Sequence, residues 1–162
     1  MTISPSKTKI PEGFLYRRAT ENDTKAIVDL VSSVLLEYGL PVELKSTDSD
    51  LFDTKTHYKE GYFGVITKED NIVATYGITP IDAHATEIRK MYALPNARGK
   101  GLGKWMVNHL IQLSKENNYK FVELETSSLL KEAVGLYEHM GFEEIKSENK
   151  TLRCDKSYKL KI

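Results

Sequence analysis

Between Arg98 and Lys104 the chain runs Arg98-Gly99-Lys100-Gly101-Leu102-Gly103-Lys104, with glycines set between cations and one leucine. Residue types in that pattern suit an anion. Glycines let a backbone come close to a ligand, and Arg98, Lys100 and Lys104 bring positive charge. A helix opening at the second glycine presents amide groups with no intrahelical partner, and its dipole adds roughly half a unit charge. A phosphate or pyrophosphate is the ligand such a helix end takes. The plainer reading is a basic surface turn between a strand and a helix.

Three glycine loops compete for this stretch, and spacing separates them. A Walker A loop needs a hydroxyl residue after its Gly-Lys, but Trp105 follows Gly103-Lys104, so no side chain is left for magnesium. A dinucleotide fingerprint spaces its glycines as G-x-G-x-x-G with an acid about 20 residues on. Glu123 and Glu125 stand at about that distance, yet the glycines run G-x-G-x-G, and the preceding strand belongs to a hairpin meander. That alternative stays open. The third spacing is Arg98-x-x-Gly101-x-Gly103 after a strand that ends at Pro95.

Other reactive side chains form no pattern. His57, His84, His109 and His139 are scattered without ligand spacing, so no metal site is expected. Cys154 has no identifiable His and acid partner and reads as a packing residue in a late strand. Trp105, just inside the helix, reads as core or interface.

The elements that must position the loop follow from composition and period. With 162 residues the chain suits one domain, residues 1–12 leading into a core over 14–162, and about two-thirds of its unfolded surface is buried on folding. Lys plus Arg and Asp plus Glu both number 23, so no global field favours nucleic acid or a membrane surface. The lone cysteine suits a reducing compartment. The start lacks an apolar h-region, and no run approaches about 18 apolar residues. A cytoplasmic protein is expected.

Phe14 to Ala19 reads as a strand. Thr20 to Asp23 has capping-box spacing, and Ile27, Leu30, Val31, Val34 and Leu35 form one apolar stripe of a helix ended by Gly39 and Pro41. Val42 to Glu60 is weakly patterned and acid-rich, with a short helix from about Asp48 to Tyr58, and is expected to be mobile beside a substrate. Tyr62–Thr67 and Ile72–Ile81 make a hairpin, extended by a strand from Ala83 to Leu94. A helix covers about Gly101 to Asn117, a strand Tyr119–Thr126, and a helix Ser128–Met140 with Ser128 as N-cap. Phe142–Ser147 and Leu152–Ile162 close the chain as strands. The fold class expected is α/β: a mixed sheet flanked by helices.

On these residues the chain resembles the GNAT superfamily of acyl-CoA N-acyltransferases, whose signature is R/Q-x-x-G-x-G/A. The resemblance runs from Tyr16-Arg17-Arg18-Ala19-Thr20 through the central motif to Ala133-Val134-Gly135-Leu136-Tyr137 and Gly141-Phe142. It implies a mostly antiparallel sheet of about seven strands in which the strand before the loop splays from its neighbour. It also implies acetyl-CoA as cosubstrate. Amides of Arg98, Gly99, Lys100, Gly101, Leu102, Gly103 and Lys104 then hold the pyrophosphate, and the main chain of Met91, Tyr92 and Ala93 pairs with the pantetheine arm as an added strand does.

For the chemistry, the resemblance assigns Glu87 as the base that deprotonates the incoming ammonium and Tyr137 as the acid that protonates the departing thiolate. An amide near Met91 serves as an oxyanion donor. The family's asparagine three residues before Ala133 is Leu130 here, so its contact is absent or passes to Ser127 or Ser128. The expected partners are acetyl-CoA, an amine-bearing acceptor and, as one option, a second copy of the chain. The acidic 42–53 stretch suggests a cationic acceptor. A non-catalytic acyl-CoA sensor and an enzyme acting on protein N-termini or lysines are the alternatives.

Overall fold

The computed structural model describes residues 1–162. Strands β1 (Leu15–Arg18), β2 (Tyr62–Lys68), β3 (Asn71–Pro80), β4 (Ala85–Ala93), β5 (Phe121–Thr126), β6 (Glu143–Ile145) and β7 (Lys156–Lys161) form one sheet in the order β1-β2-β3-β4-β5-β7-β6. Every neighbouring pair is antiparallel except β4/β5. The mixed, seven-stranded sheet is the one expected.

Helices cover both faces because the strands are apolar on both. Helix α1 (Thr24–Glu37) buries its whole predicted stripe, Ile27, Leu30, Val31, Val34 and Leu35, against Phe63 and Val65 of β2. On the other face α3 (Leu102–Glu116) and α4 (Lys131–His139) pack with Ile66, Tyr76 and Ile78 into the larger core. The β2/β3 turn places Glu69 and Asp70 at φ 50° and 65°, the twist a two-residue hairpin loop needs.

Two irregularities on β4 shape the site. Pairing with β5 runs from Ala85↔Phe121 to Ile88↔Leu124 and stops there, so the strands splay and the β5-facing edge of Arg89–Ala93 has no strand partner. On the other side Gly77 opposes Arg89 while Thr75 opposes Tyr92, so Lys90 and Met91 together face Tyr76 as a β-bulge. Lys90 sits at φ 52°, a left-handed conformation costly for a non-glycine residue. Thr75 Oγ1 donates to the Lys90 carbonyl at 2.8 Å, which fixes the kink.

Several boundaries move from the expected ones for identifiable reasons. The capping-box spacing is real, with the Thr20 N–H donating to Asp23 at 2.7 Å, but it closes a 3₁₀ turn (Glu21–Asp23) and α1 starts at Thr24. Ser128 is not the N-cap of α4: its hydroxyl and amide both bond Asp155, at 2.6 and 2.7 Å, and Leu130 precedes the first helical residue. The last strand starts at Lys156, so Cys154 lies in the turn before it. The expected 48–58 helix is a 3₁₀ turn (Ser49–Phe52) followed by one turn of helix, α2 (Thr54–His57).

The 42–60 segment is anchored where mobility was expected. Asp48 and Asp50 are 0 % and 4 % exposed and hold ion pairs to β4 and to the 151–155 turn, described below. The lead residues also dock. The Trp105 indole donates to the Thr8 carbonyl at 2.9 Å, and Gln112 bonds both Lys7 and Pro5. Trp105 itself is core, 4.7 Å from the Tyr16 ring.

Candidate active site

Pro95 ends β4 in a short 3₁₀ turn (Pro95–Ala97), after which Gly99 and Gly101 take φ of 72° and 83°. Only glycine adopts such values without strain. Their effect is to line up donors: from Gly99 to Lys104 the backbone N–H groups bond no protein acceptor, and the helical ladder begins at Trp105 N–H to Gly101 C=O, 3.1 Å. Six successive amides without a protein acceptor at a helix start are the arrangement an anion cradle uses. Gly103 has a different task, because a Cβ there meets Leu136 Cδ2 at 3.0 Å. It lets α3 and α4 close on each other.

The cations of the loop contribute less than their number suggests. Arg98 forms a forked pair with Glu37, Nη1 to Oε1 at 2.7 Å and Nη2 to Oε2 at 2.8 Å, and its Nε donates to the Ala93 carbonyl at 2.9 Å. It braces α1 against the end of β4, with its charge largely answered. Lys100 Nζ bonds the Asn96 carbonyl. Lys104 is exposed.

Two cavities meet at the splay. The larger, about 370 Å³, is lined by Met91, Tyr92 and Ala93 on one side and by Arg98, Gly99, Gly101, Leu102 and Gly103 on the other. The smaller, about 120 Å³, is lined by both Glu87 and Tyr137. Met91, Tyr92, Leu130 and Ala133 line both, so the anion cradle opens onto the carboxylate and the phenol through a shared wall. Leu130 stands at that wall. Ser127 and Ser128 are committed elsewhere, to the Leu152 carbonyl at 3.1 Å and to Asp155, so neither replaces the missing asparagine.

Glu87 is half-buried, with no hydrogen bond or ion pair to hold its charge. Burial raises its pKa above the ordinary carboxylate range, Glu125 and Glu123 push the same way, and Arg89 opposes them. A carboxyl group so placed is a stronger base than an exposed one. Tyr137 is 4 % exposed, hydrogen bonds to no protein group, and is held in its protonated form by burial. Neither Arg89 nor Lys90 comes within ion-pair distance of Glu87.

Beneath the smaller cavity lies a charge cluster that sequence spacing does not reveal. Lys90 Nζ is 3.1 Å from Asp48 and 3.3 Å from Asp50 and donates to the Thr47 carbonyl at 2.8 Å. Arg153 grips Asp48 with two bonds of 2.7 and 2.9 Å, and Tyr58 donates to Asp50 at 2.6 Å. Despite its burial Asp48 is held at a pKa of about 2 by Arg153, the Glu43 amide and Lys90. Asp48 and Asp50, two of the acids expected to face a cationic substrate, are therefore spent on folding the segment down, and the inference of a cationic acceptor loses their support.

Comparison with known proteins places this geometry. Residues 28–142 match the Acetyltransferase (GNAT) family. The chain is 36 % identical over 143 residues to the Escherichia coli (strain K12) protein named Uncharacterized N-acetyltransferase YjgM, spanning 83 % of this chain and 85 % of that one. An acetyltransferase of GNAT family from Staphylococcus aureus superposes with a TM-score of 0.84 at 22 % identity, over 91 % of this chain and 98 % of that one. The Salmonella typhimurium yncA structure, a putative acetyltransferase with its cofactor acetyl-CoA, gives 0.70 at 15 % identity, covering 93 % and 94 %. The sheet, its splay and the glycine loop thus have one explanation: this chain belongs to the Acetyltransferase (GNAT) family.

Proposed function

We propose that the protein transfers the acetyl group of acetyl-CoA to a primary amine of a small molecule, by direct attack of the amine. The observation that carries this reading is the shared wall: the cavity beside the six free amides adjoins, across Met91, Tyr92, Leu130 and Ala133, one lined by a free carboxylate and a free phenol. Acetyl-CoA supplies an acetyl thioester to the attacking amine. The Gly99–Lys104 amides bind its pyrophosphate, and the unpaired edge of Arg89–Ala93 receives the pantetheine arm as an added strand. The relative from Salmonella, whose structure contains acetyl-CoA, supports the choice of ligand.

Glu87 takes the proton that makes the amine nucleophilic, and its raised pKa suits it to hold that proton. Tyr137 supplies a proton to the departing thiolate, and the proton shed as the amide forms restores the phenol. Since a sensor needs neither group, both favour turnover over binding alone. The smaller cavity, about 120 Å³, has room for a small acceptor. A reducing, cytoplasmic setting is proposed on the lone cysteine.

The test is thiol release from acetyl-CoA with a panel of amines, with the acetylated amine identified by mass spectrometry. Turnover with at least one amine is expected. Binding of coenzyme A without thiol release across the panel would instead indicate the sensor.

A further inference from the structure

Arg89 has no protein partner. It is half-buried, lines the smaller cavity beside Glu87, and makes no hydrogen bond or ion pair. The other two cations in that wall differ from it in this respect: Lys90 and Arg153 are matched by Asp48 and Asp50. Taking a guanidinium out of water without an anion is costly. Tyr58, Glu87 and Asp50 favour its charge only from beyond bonding distance, and Arg89 braces no element.

Its position is set by the sheet. Glu87 and Arg89 are two residues apart on β4 before the bulge, so their side chains leave the same face, about 6.6 Å apart along the strand. One wall of the cavity thus offers a base and, beside it, a permanent cation. Glu125 joins Glu87 on the side that also lines an open groove with Glu123, so negative charge gathers around Glu87 while Arg89 is the cation in that wall with no bonded partner.

Resting on the acetyltransferase reading above, we propose that the acceptor is an amino acid or a close relative: a small molecule with its amine and a carboxylate a few atoms apart. The ammonium is received by Glu87 and the carboxylate by the Arg89 fork. A guanidinium matches a carboxylate with two parallel bonds, and such a clamp beside the base aims the amine as well as binding the molecule. Arg89 is on this account a specificity-determining residue. Polyamines and simple alkylamines lack the group it reads.

The experiment compares matched sets: amino acids, their α-carboxamides and their decarboxylated amines, each with acetyl-CoA, for wild type, Arg89→Gln and Arg89→Lys. Wild type is expected to favour the acid over its carboxamide by about tenfold to a hundredfold in kcat/KM, chiefly through KM. In Arg89→Gln that ratio collapses toward unity, and Arg89→Lys restores part of it. Thermal unfolding and coenzyme A binding of each variant report that the fold is intact. Turnover confined to amines without a carboxylate, or an acid-to-carboxamide ratio that Arg89→Gln leaves unchanged, overturns the inference and leaves the transferase standing. No turnover with any member, with coenzyme A still bound, overturns the transferase reading itself.

Discussion

A carboxylate works as a base only where nothing else holds its charge. Glu87 meets that condition, with no bonded partner and with burial and two neighbouring glutamates raising its pKa. Because the raised form must lose its proton before it can accept one from an ammonium, kcat/KM falls as pH drops through that raised value. Glu87→Gln should lower kcat by at least about a hundredfold and remove this limb. Tyr137→Phe should lower kcat by about the same factor and leave coenzyme A affinity within about twofold. Both are read by thiol release, and an unchanged kcat in either removes the role assigned to that residue. The roles of Glu87 and Tyr137 came from family resemblance, since a glutamate on a strand and a tyrosine on a helix carry no signal of their own. Arg89 was within reach of the sequence: a period of two puts it on the face of Glu87, but only the structure shows it unpaired.

At the scale of elements, the turn between β4 and α3 was the most legible part of the chain. Its glycines have local causes, left-handed φ at Gly99 and Gly101 and contact with Leu136 at Gly103, and local causes leave local spacing. Gly101→Ala must place a Cβ at φ 83°, a strain of about 1–2 kcal/mol, or rotate the amides away. Coenzyme A at 100 times its Kd stabilises the wild type by about 2.7 kcal/mol. At the same concentration Gly101→Ala should lose most of that gain in a thermal-shift titration, and Gly103→Ala, facing the movable end of Leu136, should keep most of it. Equal loss in both would mean that the cradle geometry is not what binds. Helix starts were less legible. Thr20-x-x-Asp23 and Ser128 have the right types, but each bonds elsewhere first, to a 3₁₀ turn and to Asp155.

Across the whole molecule, what the sequence hid is what lies far apart in it. Lys90, Arg153, Asp48 and Asp50 meet only once β4, the 40–58 segment and the 151–155 turn are assembled, so the acid-rich stretch looked like a substrate-facing surface. The cluster closes the floor of the smaller cavity and holds the bulge at Lys90. Lys90→Met leaves buried carboxylates short of a partner and should cost about 3–5 kcal/mol in a urea unfolding curve; a loss under about 1 kcal/mol would show that the cluster is not a brace. Asp48 sets the pH response. Its folded pKa of about 2 lies below the unfolded value, so its stabilisation is present above about pH 4 and fades as pH falls through about 2. Asp48→Asn should flatten that part of the acid-unfolding profile.

The arrangement as a whole claims that an anion cradle and a buried base act on one thioester and one amine. The most direct test is the pH–rate profile of acetyl transfer from acetyl-CoA to the best amine, for wild type and Glu87→Gln, with coenzyme A binding measured alongside. The account predicts a rising limb with an apparent pKa above the ordinary carboxylate range in wild type. Glu87→Gln should lose that limb and keep coenzyme A affinity. An identical profile for the two proteins, or coenzyme A bound with no acetylated amine, would contradict it.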